Sequence, residues 1–248
     1  MRKCFILIVL MLSGCANQSG IGLTPSDSNK HESARIHADR GSGYYQQGQM
    51  SDALNEFIKS IELNPNYSSG YNGLAMTYAA INEDTKAELN FQKSITLDAK
   101  NSEAHNNYGS FLCSRNRVDE SIVQFQDAAK NPLYVTPFIA YTNAGYCSLE
   151  KSDVNGAEHF FSLALQNQPL LHNTAYQLAK IYFDKKQYEL AQNTMRNALA
   201  NNPTPEMLWL GVRVERQLGN KDAESSFTLE LKRSYPDAPQ TQSLLSGS

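Results

Sequence analysis

The sequence predicts an all-α fold, a superhelical solenoid of about six helix-turn-helix units, on three observations. A small residue recurs as Ala53, Ala87, Ser121, Ala157, Ala191 and Ala223, at spacings of 34, 34, 36, 34 and 32. Four residues after each stands a large apolar side chain: Phe57, Phe91, Phe125, Phe161, Met195 and Phe227. About twelve residues before each lies a second small-residue site, at Gly41, Leu74-Ala75, Tyr108-Gly109, Ala144-Gly145, Leu178-Ala179 and Leu210-Gly211. Each period therefore holds two helices, which cross where the small residues let them approach. A single pair cannot bury its apolar face, so neighbours must stack.

The chain opens with Arg2 and Lys3 and an apolar run from Phe5 to Leu12, too short for a permanent membrane span. Residues 1–14 read as a signal peptide. Leu12-Ser13-Gly14-Cys15 resembles the bacterial lipobox, which implies that Cys15 is the lipidated first residue of the mature chain. Each buried methylene contributes about 0.8 kcal/mol, so two or more acyl chains anchor a protein stably. Ala16 in place of aspartate favours transfer to the outer membrane, facing the periplasm, within the lipoprotein class. Residues 15–33 are rich in Gly, Ser, Thr, Asn and Asp and are expected to form a flexible tether. About 18 such residues reach roughly 25 Å.

The repeats are expected over residues 34–236, in units of approximately 34–67, 68–101, 102–137, 138–171, 172–203 and 204–236. The pattern looks like a tetratricopeptide array, with a helix-ending proline at Pro65, Pro169 and Pro203. The second helix of the first unit, Asp52 to Ile61, carries its apolar residues at helical spacing. In the sixth unit Glu230 and Lys232 break the pattern, so it is expected to cap the array. Residues 237–248 are polar, contain Pro239 and end Ser-Gly-Ser, and read as a disordered tail.

The 36-residue spacing coincides with Asn131-Pro132-Leu133-Tyr134-Val135-Thr136-Pro137, a connector stiffened by two prolines. Cys113 and Cys147 flank it on the first helices of units 3 and 4. Equivalent helices of adjacent repeats lie about 8–10 Å apart and a disulfide needs Cα atoms within about 7 Å, so a bridge is feasible. The two cysteines are offset by about half a turn, and the alternative is a pair of buried free thiols.

Composition does not suggest a polyanion partner. The chain has 22 basic and 25 acidic residues, a net of −3, which becomes 20 − 25 = −5 once Arg2 and Lys3 are removed. His31, His37, His105, His159 and His172 are scattered, with no i, i+4 pair to seat a metal, and His37 and His105 fall at equivalent packing positions. No phosphate-binding glycine loop, nucleophile elbow or CxxC is present. No catalytic residue, metal site, cofactor, nucleic acid or small-molecule substrate is expected. Function then comes from the curved face lined by each unit's first helix, where Tyr45, Asn72, Met76, Asn106, Tyr146 and Tyr176 are candidate partner-binding residues.

The run Asn107-Tyr108-Gly109-Ser110-Phe111-Leu112-Cys113, with Pro132-Leu133-Tyr134 and Asn143-Ala144-Gly145-Tyr146-Cys147, resembles the PilF/PilW family of type IV pilus biogenesis lipoproteins. The lipobox, the six units and both cysteines fit that resemblance. It implies a non-catalytic pilotin that helps the outer membrane secretin localise and assemble, or that stabilises the pilus. A repeat lipoprotein adaptor for another envelope system, such as peptidoglycan synthesis or outer membrane protein insertion, shares the generic features but not the Cys113 to Cys147 segment.

Overall fold

The computed structural model describes residues 25–199 and 203–246; the signal peptide, the lipobox and Cys15 lie outside them. The described residues form helices without strands. Six antiparallel pairs stack in chain order: α1 (Pro25–Gln46) with α2 (Met50–Leu63), α3 (Ser68–Ala80) with α4 (Asp84–Leu97), and α5 (Ser102–Ser114) with α6 (Val118–Lys130). The array continues with α7 (Pro137–Glu150) and α8 (Val154–Asn167), α9 (His172–Asp184) and α10 (Tyr188–Ala198), then α11 (Pro205–Leu218) and α12 (Lys221–Ser234). A short α13 (Pro239–Ser246) packs on α11 and α12.

The small-residue columns are the helix crossings. Ala53, Ala87, Ala157 and Ala191 have no exposed surface, and neither has Ser121. The aromatic four residues on lies flat against the glycine of the partner helix. A Cβ added to Gly145 would stand 2.5 Å from Phe161, and one added to Gly109 would stand 2.8 Å from Phe125. A further small column at Ser60, Ser94, Ala128, Ala164 and Ala198 is equally buried. Ser60 donates to the carbonyl of Ala34 at 2.7 Å and Ser94 to that of Ser68 at 2.9 Å, tying α2 to α1 and α4 to the first residue of α3.

Each pair turns at one residue in the left-handed region: Gly48, Asn82, Asn116, Ser152, Lys186 and Gly219, with φ between 60° and 75°. The left-handed turn ends the first helix and reverses the chain over two or three residues. Only Gly and Asn adopt this region at little cost, so Ser152 and Lys186 hold it because packing on both sides fixes the turn. Exposed ion pairs cross from one unit to the next near these turns, Arg115 with Asp84 at 2.7 Å and Lys151 with Asp119 at 2.6 Å. At the surface each adds at most about 1 kcal/mol.

Two expectations are corrected at the ends. The segment 15–33 was read as a tether, yet α1 already runs from Pro25, nine residues before the expected start of the first unit at 34. Composition misled because extending an existing helix is far easier than nucleating one. Buried Ala34 and Ala38 fix the helix, and Arg35 braces its exposed side through Glu32 at 2.6 Å and Asp39 at 2.7 Å. The tail 237–248 was read as disordered, yet α13 is seated: Thr241 is buried and donates to the Tyr235 carbonyl at 2.6 Å. Pro239 stands 34 residues after Pro205, which begins α11. Helix α13 thus takes the place that a first helix would hold in a following repeat and covers the last apolar edge. Among the described residues no helix is long and apolar enough to cross a membrane.

Candidate functional site

The first helices form one continuous face, and it holds two grooves. The smaller, about 360 Å³, runs across α1, α3 and α5 and includes Asp39, Tyr45, Asn72, Met76, Glu103 and Asn107. The larger, about 550 Å³, runs across α7, α9 and α11, with Phe138, Ile139, Tyr146, Leu170, Leu171 and Met207 as its apolar lining. Both volumes fall in the range of sites that hold small ligands or peptide segments.

Side-chain amides stitch neighbouring first helices along this face. Asn107 on α5 donates to Asn72 Oδ1 on α3 at 3.3 Å and to Met76 Sδ at 3.1 Å. Asn143 on α7 donates to Asn106 Oδ1 on α5 at 3.1 Å. Next to this ladder Cys113 on α5 and Cys147 on α7 are joined as a disulfide, with Cα atoms 5.9 Å apart. The bridge spans the junction made by the 131–136 connector, so units 3 and 4 are fixed covalently as well as by packing.

The phenols of Tyr146 and Tyr176 stay protonated. Burial pushes the hydroxyls of Tyr146 and Tyr176 above the ordinary tyrosine range, since charging them would cost hydration. They act as hydrogen-bonding, amphipathic contact surface. Tyr146 also meets the ring of Phe161 edge-on at 5.2 Å, which sets its orientation. Buried Glu56 accepts from His37 at 2.6 Å between α1 and α2, and this hydrogen bond holds its carboxyl below the usual range, with Arg40 and Lys59 assisting. His105 makes the equivalent contact to Gln124 at 2.8 Å between α5 and α6. One group of three possible metal ligands lies together among the described residues, Cys113, Cys147 and Glu150. Its two sulfurs are bonded to each other, which removes them as thiolate ligands.

Comparison with known proteins agrees with this architecture. A model of the tetratricopeptide repeat matches residues 172–205. The type IV pilus assembly protein PilF of Pseudomonas aeruginosa is 25% identical over 240 residues, covering 95% of this chain and 94% of that protein. An uncharacterised protein of Haemophilus influenzae is 25% identical over 151 residues, 60% of this chain and 82% of its own length. The solved structure of Pseudomonas aeruginosa PilF superposes with a TM-score of 0.74 at 24% identity, covering 89% of this chain and all of that one. PilW, described as a widely conserved type IV pilus biogenesis factor, superposes at 0.65 with 25% identity, over 86% of this chain and 98% of its own. The chain is a PilF/PilW-like tetratricopeptide-repeat protein.

In this PilF/PilW-like array the candidate residues named from the sequence separate by location. Tyr45, Asn72 and Met76 share the smaller groove, and Tyr146 lines the larger. Tyr176 packs against the core of units 5 and 6. Asn72 and Asn106 are buried, and their carbonyl oxygens are engaged by the next helix, so both act first as ties between units. The residues that sequence reasoning missed are Phe138, Ile139, Leu170, Leu171 and Met207. A signal existed: Ile139, Asn173 and Met207 stand 34 residues apart, at the same place in three successive units.

Proposed function

We propose that the chain is a non-catalytic scaffold of type IV pilus biogenesis, anchored to the outer membrane by lipid on Cys15 and facing the periplasm. It holds the secretin, the ring through which the pilus passes, and helps it reach the outer membrane and multimerise. The observation that carries this reading is end-to-end similarity to PilF, 25% identity across 95% of the chain, joined to the same superhelical backbone. The physical basis is a face built from stacked first helices, rigid enough to offer a preformed surface and free of any constellation for chemistry among the described residues. Lipid supplies the address and the helical face supplies the grip.

The test is secretin multimerisation in cells. Deleting the gene should reduce the sodium dodecyl sulfate-resistant secretin multimer in outer membrane fractions. A Cys15→Ala variant should leave a folded protein that no longer brings secretin there. Normal secretin rings in the deletion strain would refute the secretin role, and normal rings with the Cys15→Ala variant would refute delivery by lipid.

A further inference from the structure

The face of first helices changes character at the 131–136 connector. One position per unit, a repeat apart, reads Arg35, Ser69, Glu103, Ile139, Asn173 and Met207. Units 1–3 place two charged residues in this column and units 4–6 none. Glu103 and Ser69 line the smaller groove beside Asp39, whereas Ile139, Asn173 and Met207 line the larger. Among the described residues no Asp, Glu, Lys or Arg lines the larger groove, and His172 is its one ionisable side chain besides Tyr146, in a chain that is 19% charged. Ile139, at 39% exposure, and Leu170, at 61%, stand open to water on its rim, as Tyr146 does, while Met207 forms its buried floor.

A charged group entering this groove would lose hydration and find no Asp, Glu, Lys or Arg among the described lining residues to pair with. The lining therefore matches an occupant whose contacting side chains are uncharged and aliphatic. Contiguous exposed apolar surface of this kind marks a site of interaction. The polar groups in the lining are amides, hydroxyls and the His172 imidazole. Asn143 gives its amide hydrogen to Asn106, and exposed Asn173 has a carboxamide that offers both a donor and an acceptor. That is the complement of main-chain N–H and C=O groups, which an extended segment leaves unpaired and a helix does not. Three first helices at about 8–10 Å spacing span roughly 20 Å, the length of about six extended residues.

We propose that the groove across units 4–6 is a docking site for an extended, uncharged, aliphatic segment of about six residues of a partner protein. This rests on the scaffold reading above and adds to it which half of the face is used and by what chemistry. The acidic smaller groove is left to other contacts.

Fluorescence anisotropy on the Cys15→Ser full-length protein tests this. The probe is a fluorescein-labelled peptide with Leu-Val-Ala-Ile-Val-Leu between Ser-Gly flanks; matched peptides carry two central lysines or two central aspartates. The neutral peptide should bind, and both charged peptides should bind at least about tenfold more weakly. Ile139→Asp and Leu170→Asp, both at exposed positions, should each weaken the neutral peptide by about tenfold or more while leaving the melting temperature unchanged. Glu103→Ala, in the other groove, should leave binding intact. Equal binding of the charged peptides, or wild-type binding by Ile139→Asp, overturns the proposal. So does a concentration-dependent dimer in sedimentation that Ile139→Asp abolishes without any peptide binding, because the groove then belongs to a second copy. Peptide binding as stated together with normal secretin in the deletion strain refutes the pilus role and leaves the groove standing. Failed peptides with lost secretin do the reverse.

Discussion

Replacing Gly145 with alanine sets helix propensity against packing, and the structure decides which wins. In an exposed helix interior the change gains about 1 kcal/mol, because glycine has the greater backbone entropy to lose. At Gly145 the new methyl would stand 2.5 Å from both Cδ1 and Cε1 of Phe161, a side chain with no exposed surface. Phe161 is held in turn by the edge of Tyr146 at 5.2 Å, so its ring has nowhere to retreat. Overpacking of this kind costs about 1–3 kcal/mol, and the short distance places Gly145 at the upper end. The net expectation is a loss of about 2 kcal/mol. The same substitution at Gly211 meets Phe227 at 3.1 Å, and Phe227 is only half-buried. There the propensity gain offsets the contact, and the net is close to zero. Gly109, at 2.8 Å from Phe125, falls between the two. Units 2 and 5 already carry alanine at this column, Ala75 and Ala179, which shows that the crossing tolerates a methyl when the ring or Met195 is set back. Thermal and urea unfolding followed by circular dichroism should rank the variants Gly145→Ala, Gly109→Ala, Gly211→Ala from least to most stable. Equal stability of Gly145→Ala and Gly211→Ala would refute the argument that ring contact governs the column.

Four further outcomes follow from named contacts. Reducing the Cys113–Cys147 bridge, or replacing both cysteines with serine, opens a loop of sequence separation 34 and should lower stability by about 4 kcal/mol in the chain-entropy model. Melting with and without reductant measures this, and thiol labelling of denatured protein should find no free sulfhydryl at either position. Lys186→Asn should stabilise by about 0.5–1 kcal/mol, since Lys186 holds φ at 60° and asparagine adopts the left-handed region more readily; a lower denaturation midpoint would contradict this. Ser68→Ala, which breaks the contact to Ser94 at 2.9 Å, should cost about 1–2 kcal/mol in the same unfolding assay. The Glu56 carboxyl is held below its ordinary value of 4.5 in the folded chain, chiefly by the hydrogen bond from His37. The unfolded chain therefore takes up that proton first as pH falls, so this contribution is complete above about pH 4.5 and is lost as pH drops through the folded value. Glu56→Gln should flatten the acid limb of the stability profile, read as melting temperature between pH 3 and pH 6 (roughly the carboxylate range).

The repeat was legible because it is a packing constraint written every 34 residues. Helices cross closely only where side chains are small, and each crossing leaves one gap that a Phe or Met fills. The ends were less legible. Composition describes what a segment could bury by itself, whereas residues 25–33 are helical because Ala34 and Ala38 are already buried against α2. The tail is helical because α11 and α12 present an unpaired edge for it to cover. The binding face lay between these cases. Tyr45, Met76 and Tyr146 were found by asking which large side chains sit off the small-residue columns, and that question passes over Leu170 and Leu171 because they precede a helix.

The sequence by itself determined the helix count within the repeats, their pairing and the residues at each crossing, because those depend on local periodicity and side-chain size. It also marked the two cysteines without deciding their pairing, since an offset of half a turn permits either outcome. Only the tertiary structure decided that the sulfurs meet, that Asn72 and Asn106 tie helices together, and that the uncharged groove lies across units 4–6. These depend on how far one repeat is rotated against the next. That rotation is set by the sum of many contacts across each junction, and no single stretch of chain encodes it.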